Sequence, residues 1–214
     1  MKNITIIMIT AMFLFGTITT TANEWFFEVN PSKIRMYSSN RLEKASWFKE
    51  TYGVQNFVNL SFFTSKTFIP PYKDSIRSVE TNKKQWPVFV IDTTGTPCIY
   101  RSSEFKQITG KNVKFSASGY PILLENGKKV KIYNSYFSKR RCARTAVGIH
   151  PNGSVIIYVN TSATLKDVQK FFWTIGCVDA INFDGGSSTF LILNGKKMYS
   201  SNKGHSYPNV LSWE

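Results

Sequence analysis

Short apolar runs, many of them rich in β-branched residues, recur along the chain and are separated by turn residues. Runs of this length and composition predict β-strands. In chain order the predicted strands cover residues 25–29, 34–37, 54–60, 88–91, 99–100, 155–159 and 178–183. Two further apolar runs each precede an Asn-Gly pair, which is a strong signal for a two-residue hairpin turn. These pairs, Asn126-Gly127 and Asn194-Gly195, predict two β-hairpins.

Two segments instead carry apolar residues at the three- and four-residue spacing of a helix. Asn40 is placed to cap the first, which we expect to run through residues 42–52. The second covers residues 165–175, where Thr164 is the expected cap and Asp167 can reach back to it. Many strands with two clear helices predict an α+β fold: a single domain with a mixed, twisted β-sheet core and two main packing helices.

Residues 51–61 and 174–184 resemble one another. Each segment ends a predicted helix, passes a glycine, enters an apolar strand and carries polar residues at its far end. A pseudo-repeat of this kind would bring four polar side chains toward one cleft: Asn59, Ser61, Asn182 and Asp184. A chance likeness is the alternative, because helix–glycine–strand units are common.

The first 22 residues have the pattern of a signal peptide. Lys2 gives a positive start, residues 4–16 are apolar, and residues 17–22 are small and polar, which suits cleavage before Asn23. The apolar run is shorter than the roughly 20 residues that span a bilayer comfortably. We therefore expect a signal peptide at 1–22, a domain at 23–214 and a secreted or periplasmic location. An uncleaved anchor is the alternative.

The chain is strongly basic, with 27 lysine and arginine residues against 13 acidic ones and a net charge of +14. Such a surface suits phosphate-bearing polymers, nucleic acid or an anionic membrane face. No recognised nucleic-acid motif accompanies the charge, so we expect no nucleic-acid partner. The positive charge also leads us to expect transient association with an anionic envelope surface.

Three cysteines, Cys98, Cys142 and Cys177, are too few for a disulfide framework and match no zinc spacing. One bridge with a leftover thiol and three small buried hydrophobes both stay open as interpretations. A catalytic cysteine usually needs a histidine partner, and the two histidines, His150 and His205, lie in no recognisable ligand set. We expect no cysteine chemistry, no metal and no cofactor.

The segment Asp184-Gly185-Gly186-Ser187-Ser188 directly follows the predicted strand 178–183. A sheet holds a carboxylate at such a strand end in a fixed position. The glycines permit close approach of a ligand, and the N–H groups of such a turn can face an anion. Asn182, inside the apolar strand, needs hydrogen-bond partners if it is buried. Asp184 and Asn182 are therefore candidate functional residues, and a structural asparagine beside an ordinary turn is the alternative.

A second polar stretch is the basic run 139–144. Most of such a run is normally a solvated face. Arg144 differs, because Thr-Ala-Val-Gly-Ile follows it and its backbone is expected to lie in the sheet. A guanidinium held there can offer a planar, bidentate donor to a phosphate.

Taken in order, these stretches resemble the phosphodiester glycosidase family. The resemblance covers roughly residues 57–211 and rests on five segments, 58–63, 119–127, 144–148, 176–188 and 208–211. The first resembles the family's Asn-Gly-Gly-Phe-Phe stretch, and the second resembles its Gly-x-Pro-x-Leu segment before a hairpin. The chain departs from the family where Leu60-Ser61 replaces two glycines, and where Ser187 stands at a position often held by a third glycine.

The resemblance implies a hydrolase that cleaves a sugar-1-phosphodiester bond, with a phosphorylated glycan of envelope or exopolysaccharide polymers as the expected substrate. Asp184 would activate water or stabilise the oxocarbenium-like centre, Arg144 would hold phosphate, and Asn59 and Asn182 would orient sugar or water. The remaining expected substrate contacts are Ser61, Gly185, Gly186 and Ser187. The alternative is a non-catalytic module that binds phosphorylated envelope glycans.

Overall fold

The computed structural model describes residues 18–21, 23–63, 72–73, 78–79, 86–108, 112–202 and 204–214. The strands are β1 (Ile18–Thr21), β2 (Glu24–Val29), β3 (Ile34–Glu43), β4 (Phe57–Asn59), β5 (Tyr72–Lys73), β6 (Ser78–Val79), β7 (Val88–Asp92), β8 (Pro97–Tyr100), β9 (Val113–Ser118), β10 (Ile122–Glu125), β11 (Lys128–Lys129), β12 (Cys142–Ile149), β13 (Val155–Ala163), β14 (Asp179–Asn182), β15 (Phe190–Leu193), β16 (Lys196–Ser200) and β17 (Tyr207–Trp213). The helices are α1 (Ala45–Tyr52), α2 (Ser102–Ile108), α3 (Tyr136–Lys139) and α4 (Leu165–Thr174).

The strands form three sheets, which we call A, B and C. Sheet A has the order β1-β2-β13-β12-β14-β10-β11, sheet B the order β16-β15-β4-β17-β3, and sheet C the order β6-β5-β9-β7-β8. The α+β class is confirmed. The prediction of one mixed sheet differs from the structure, since every strand pair among the described residues is antiparallel. Hairpin turns explain part of this difference, because they join neighbouring strands in opposite directions.

The largest apolar cluster joins the three sheets. It includes Phe27 from sheet A, Leu211 from sheet B and Phe89 from sheet C, each almost completely buried. Separate clusters hold α4 against sheet A and α1 against sheet B. The sheets therefore share one interior, and the loops that link them are placed by the same packing.

Helix α4 follows its sequence signals closely. Thr164 and Asp167 form the predicted capping box, with the Thr164 hydroxyl and the Asp167 carboxylate bonding each other's backbone N–H groups. Phe172 packs into sheet A at Gly148, where the Cβ of any larger residue would overlap its ring. Gly148 therefore permits the close approach of this helix to the sheet.

The start of α1 corrects the prediction at Asn40. The helix begins at Ala45 with Lys44 as its N-cap residue, and no side chain caps it. Residues 40–43 belong instead to β3, which pairs with β17 up to Ser38–Asn209 and, after an irregularity, again at Glu43–Tyr207. Long-range pairing therefore overrides the local capping signal, and Gly53, with a φ of 69°, ends the helix.

Both predicted hairpin turns are present. Asn126 and Asn194 have φ angles of 51° and 49°, and the glycines that follow have φ angles of 75° and 69°. Positive φ at both central residues is the requirement of a type I′ turn, which asparagine and glycine meet at the lowest cost.

The expected signal peptide falls almost entirely outside the described residues. Its residues 18–21 form β1 at the edge of sheet A, paired with β2. Among the described residues, no helix is both long and apolar enough to cross a membrane.

Candidate active site

Asp184 lies where the end of β14 in sheet A meets the end of β4 in sheet B. Its backbone N–H donates to the Leu60 carbonyl at 3.0 Å, and its carbonyl accepts from Asn59 Nδ2 at 2.7 Å. Its carboxylate accepts a hydrogen bond from the Gly185 N–H at 2.9 Å. These bonds fix both the backbone and the carboxylate of Asp184, as expected for a carboxylate at the end of a strand.

The environment of this carboxylate disfavours its charged form. Burial raises the pKa of Asp184 to about 6, although hydrogen bonds from Ser188 and Gly185 act in the opposite direction. A carboxyl with a pKa near 6 exchanges protons readily close to neutral pH, which suits general acid–base work.

Asn59 is 2 % exposed and ties three strands to the Asp184 loop. Its Oδ1 accepts from Thr145 Oγ1 at 2.7 Å and from the Phe190 N–H at 3.2 Å, while its Nδ2 is used by Asp184. The Asn59 amide is therefore engaged in hydrogen bonds within the protein. Its geometry suits positioning of Asp184, and Thr145 joins the site as a residue that sequence reasoning missed.

Ser61 is held by a second buried asparagine. Its N–H donates to Asn209 Oδ1 at 2.9 Å, and its hydroxyl accepts from Asn209 Nδ2 at 3.0 Å. Sequence reasoning gave Asn209 no role. An asparagine inside the mostly apolar β17 was the available signal, because a buried amide requires partners.

Asn182 has no exposed surface and lies two residues before Asp184. Its Nδ2 donates to the carbonyls of Tyr120 at 2.7 Å and Phe183 at 2.8 Å. Its Oδ1 is buried and has no hydrogen-bond partner among the described residues. A buried acceptor of this kind is unusual and leaves the residue able to accept one more hydrogen bond.

The glycines after Asp184 have different reasons to be glycine. A Cβ on Gly185 would lie 2.8 Å from the Ala143 carbonyl oxygen, so close packing against β12 requires glycine there. Gly186 has a φ of 60° with open space around it, so its backbone conformation favours glycine. Ser187, next in the 3-10 turn, is exposed.

Ser188 connects Asp184 to a histidine. Its side chain hydrogen-bonds the Asp184 carboxylate, and its hydroxyl oxygen lies 3.1 Å from His205 Nε2. The His205 ring is flanked by Phe63 and Tyr207, with ring centres 5.4 and 5.3 Å away. Burial, with a smaller effect from the charge of Lys44, lowers the pKa of His205. Sequence reasoning gave His205 no role, since its contact with Ser188, 17 residues earlier, forms only in the folded chain.

Arg144 lies behind the Gly185 loop rather than at its surface. It is 1 % exposed, and its Nη2 donates to the carbonyls of Phe137 and Arg140 at 2.9 Å. Its Nε donates to the Ala163 carbonyl at 3.2 Å, and burial lowers the pKa of the guanidinium. In this conformation a phosphate would reach Arg144 only if the α3 segment moved.

Four aromatic rings form a row that begins at Tyr120, whose carbonyl accepts a hydrogen bond from Asn182. Ring centres are 5.7 Å apart for Tyr120 and Trp86, 4.9 Å for Trp86 and Phe62, and 6.3 Å for Phe62 and Phe137. Tyr120 and Phe137, at the two ends, are 43 % and 38 % exposed. Tyr120 and Phe137 also line a cavity of about 190 Å³. We call these four residues the aromatic row.

The structure brings together most of the residues that the sequence proposed. Asn59, Asp184 and Gly185 share hydrogen bonds, while Ser61 and Asn182 adjoin them along β4 and β14. The pseudo-repeat hypothesis therefore correctly predicted that the ends of β4 and β14 lie next to each other.

The three cysteines are unpaired thiols. Burial raises the pKa of Cys177 to about 12, which keeps that thiol protonated and unsuited to nucleophilic attack. Within the described part of the chain, no three His, Cys, Asp or Glu side chains cluster as metal ligands.

A sequence model of the phosphodiester glycosidase family matches residues 43–212. The chain belongs to this family. The match includes both strand ends of the site and the Asp184 loop. A search of curated proteins found no match.

Solved structures share the fold of this phosphodiester glycosidase domain. One is the catalytic domain of zebrafish N-acetylglucosamine-1-phosphodiester alpha-N-acetylglucosaminidase, auto-inhibited by its pro-peptide, with a TM-score of 0.76 and 19 % identity over 89 % of this chain and 76 % of that one. A hypothetical protein from Synechocystis has a TM-score of 0.65 and 13 % identity over 92 % of this chain and 59 % of that one. A third is a Burkholderia pseudomallei protein whose name describes it as an exported protein. Its TM-score is 0.67, with 10 % identity over 89 % of this chain and 73 % of that one.

Proposed function

We propose that this phosphodiester glycosidase domain hydrolyses a sugar-1-phosphodiester bond, with Asp184 as its catalytic residue. The observation that carries the proposal is the Asp184 carboxyl itself. It is fixed at the junction of two sheets, and its burial raises its pKa to about 6. Membership in the phosphodiester glycosidase family supports the reaction class.

The chemistry of the bond explains why one carboxylate suffices. Breaking the bond between C1 and oxygen develops positive charge on the sugar ring and releases a phosphate monoester. Glycosidases commonly use a second carboxyl as an acid to protonate the leaving oxygen. A phosphate oxygen is stable as an anion, so that acid is less necessary.

Asp184 acts on the nucleophile in this scheme. Its carboxylate takes a proton from water as the water oxygen bonds C1, and the electrons of the broken bond leave with the phosphate. Asn182 has an unpartnered Oδ1 that can accept a hydrogen bond, but this atom is buried, so it reaches that water or a sugar hydroxyl only if its surroundings move. Asn59 and Ser61 hold the two strand ends in place.

Arg144 and the glycine loop complete the proposed site. The buried guanidinium fixes the α3 segment and the back of the Gly185 loop, and it contacts phosphate only when that segment moves. Gly185, Gly186 and Ser187 border the Asp184 carboxylate and are proposed substrate contacts.

The compartment and the polymer are also proposals. A signal peptide at 1–22, a domain at 23–214 and export to the periplasm or the medium agree with the amino-terminal sequence and with the fold of the Burkholderia pseudomallei protein. The net charge of +14 favours phosphorylated glycans of the envelope or of exopolysaccharides as substrates.

A second candidate function is binding of phosphorylated glycans without cleavage. The observation in its favour is that Leu60 is 1 % exposed and Ser61 is 2 % exposed, so larger side chains fill space where the family has two glycines. An assay of free-sugar release from a sugar-1-phosphodiester decides between the two functions.

We expect the purified protein to release free sugar from a sugar-1-phosphodiester, tested first with N-acetylglucosamine. Reducing-sugar release is compared with that of Asp184→Ala under the same conditions. Release by the unaltered protein alone supports the hydrolase. No release across several sugars, with retained binding to phosphorylated glycans, would establish the binding module instead.

The aromatic row is expected to bind a sugar ring by stacking. Phe62→Ala and Tyr120→Ala should each raise KM about fivefold and change kcat much less, because one aromatic contact contributes about 1 kcal/mol. Tyr136→Ala is the matched control, since Tyr136 is 78 % exposed and lies outside the row. Unchanged KM in both row variants would remove the row from the site.

A further inference from the structure

A cleft of about 490 Å³ lies between α1, the β15–β16 hairpin and the start of β17. Four of its lining residues are basic: Lys44, Lys49, Lys197 and His205. We call it the cationic cleft. It adjoins the proposed active site, because His205 contacts Ser188, which in turn bonds the Asp184 carboxylate.

The charges in the cationic cleft are poorly balanced. Glu50 is its one acidic residue among the described lining residues. None of the ion pairs between described residues involves Lys44, Lys49 or Lys197. An anionic ligand would offset this excess of positive charge.

The lysines are held in position by the backbone. Lys44 Nζ donates to the Gly204 carbonyl, and Lys49 Nζ donates to the Gly195 carbonyl at 3.0 Å. An ammonium group has three donor hydrogens, so each lysine keeps donors for a ligand. Two amines, from the start and the middle of α1, are thereby held at the cleft before any ligand arrives.

The floor of the cleft is apolar and buried. It contains Phe57, Phe190 and Tyr207, each 2 % exposed or less. Interactions between charges are stronger beside such a low-dielectric wall than in open water. The hydroxyl of Ser46 adds a hydrogen-bond donor at the same cleft, whereas the Ser200 hydroxyl donates to the Asn202 carbonyl at 3.1 Å.

We propose that the cationic cleft binds a phosphate group of a phosphorylated ligand. Its cations, the hydroxyl of Ser46 and its position beside His205 match the charge and the acceptor oxygens of a phosphate. That this ligand is the substrate of the hydrolysis rests on the proposed function, whereas phosphate binding by the cleft does not.

The test is a titration of the full-length protein with inorganic phosphate, followed by NMR of the imidazole signals. The chain has two histidines, so His150→Gln assigns both signals. We expect the His205 signal to shift in a saturable manner while that of His150 stays constant. Sodium chloride at the same ionic strength serves as the control for screening.

Neighbouring lysines on β16 give a matched pair of variants. Lys197 lines the cleft and Lys196 does not, although both are exposed. Lys197→Ala and Lys44→Ala should weaken phosphate binding about five- to tenfold, while Lys196→Ala leaves it unchanged. Equal loss in all three variants, or a response to chloride equal to that to phosphate, would overturn the proposal.

Asp184→Ala separates this proposal from the proposed function. We expect this variant to lose hydrolysis and to keep phosphate binding. Saturable phosphate binding by a protein without hydrolytic activity would refute the hydrolase and keep the cleft. Hydrolysis without phosphate binding at His205 would refute the cleft alone.

Discussion

Asp184→Asn is expected to abolish hydrolysis and, at neutral pH, to make the protein more stable. The amide keeps an oxygen that accepts the Gly185 N–H, so the loop should retain its conformation. It has no negative charge and cannot take a proton from water. We expect kcat to fall by about 10³-fold or more, in the range of a lost general base.

The gain in stability follows from the pKa of the carboxyl. Its folded-state pKa of about 6 lies above the ordinary value of 3.8. Between these two values the folded chain binds the proton more tightly than the unfolded chain, so the free energy of unfolding falls as pH rises. The full cost is present above pH 6, and at roughly 1.4 kcal/mol per pKa unit it is on the order of 2–3 kcal/mol.

Thermal unfolding at two pH values measures this effect. At pH 7.5 the asparagine variant should melt about 5–10 °C above the unaltered protein, and near pH 3.5 the two should melt together. The activity of the unaltered protein should rise as pH increases through about 6, since the ionised carboxylate is the active form. A variant less stable at both pH values would contradict the proposed cost of burying this charge.

Asn59→Ala should cause the largest loss of stability of any single change in the site. It leaves the Phe190 N–H, the Thr145 hydroxyl and the Asp184 carbonyl without their bonds to the Asn59 amide, all in a buried region. Each unsatisfied buried group costs about 1–3 kcal/mol, and three groups near the lower end of this range give an expected total of about 3–5 kcal/mol.

Differential scanning calorimetry should show Tm lowered by about 10 °C or more for Asn59→Ala. Asn56→Ala is the matched control, because its amide also makes two backbone bonds, to Trp213 and Asn194, but is only partly buried. We expect its Tm to fall by no more than a few degrees. Equal losses in the two variants would show that burial of Asn59 has no special effect.

Sequence patterns predicted those elements whose signals are local. The capping box of α4 and the Asn-Gly turns act within a few residues, and both appear where expected. Asn40 failed as a cap because residues 40–43 continue β3, whose last residue, Glu43, pairs with Tyr207, more than 150 residues away. Propensity is a weak guide wherever such tertiary pairing competes with it.

The candidate site divides in the same way. The likeness of residues 51–61 and 174–184 was enough to predict that Asn59 and Asp184 approach each other. Thr145, Asn209 and His205 were missed, because each acts through a partner that only the folded chain brings near. Arg144 was found as an unusual arginine, but periodicity carries no information on which way its guanidinium points.

The position of β17 has a consequence for how the protein is made. This strand lies between β3 and β4 in sheet B, although about 150 residues of chain separate β4 from it. Sheet B is therefore incomplete until residues 207–213 have left the ribosome, and Asn209 cannot hold Ser61 before then. Because such distant pairings form slowly, the site is expected to assemble late, only after β17 has been synthesised.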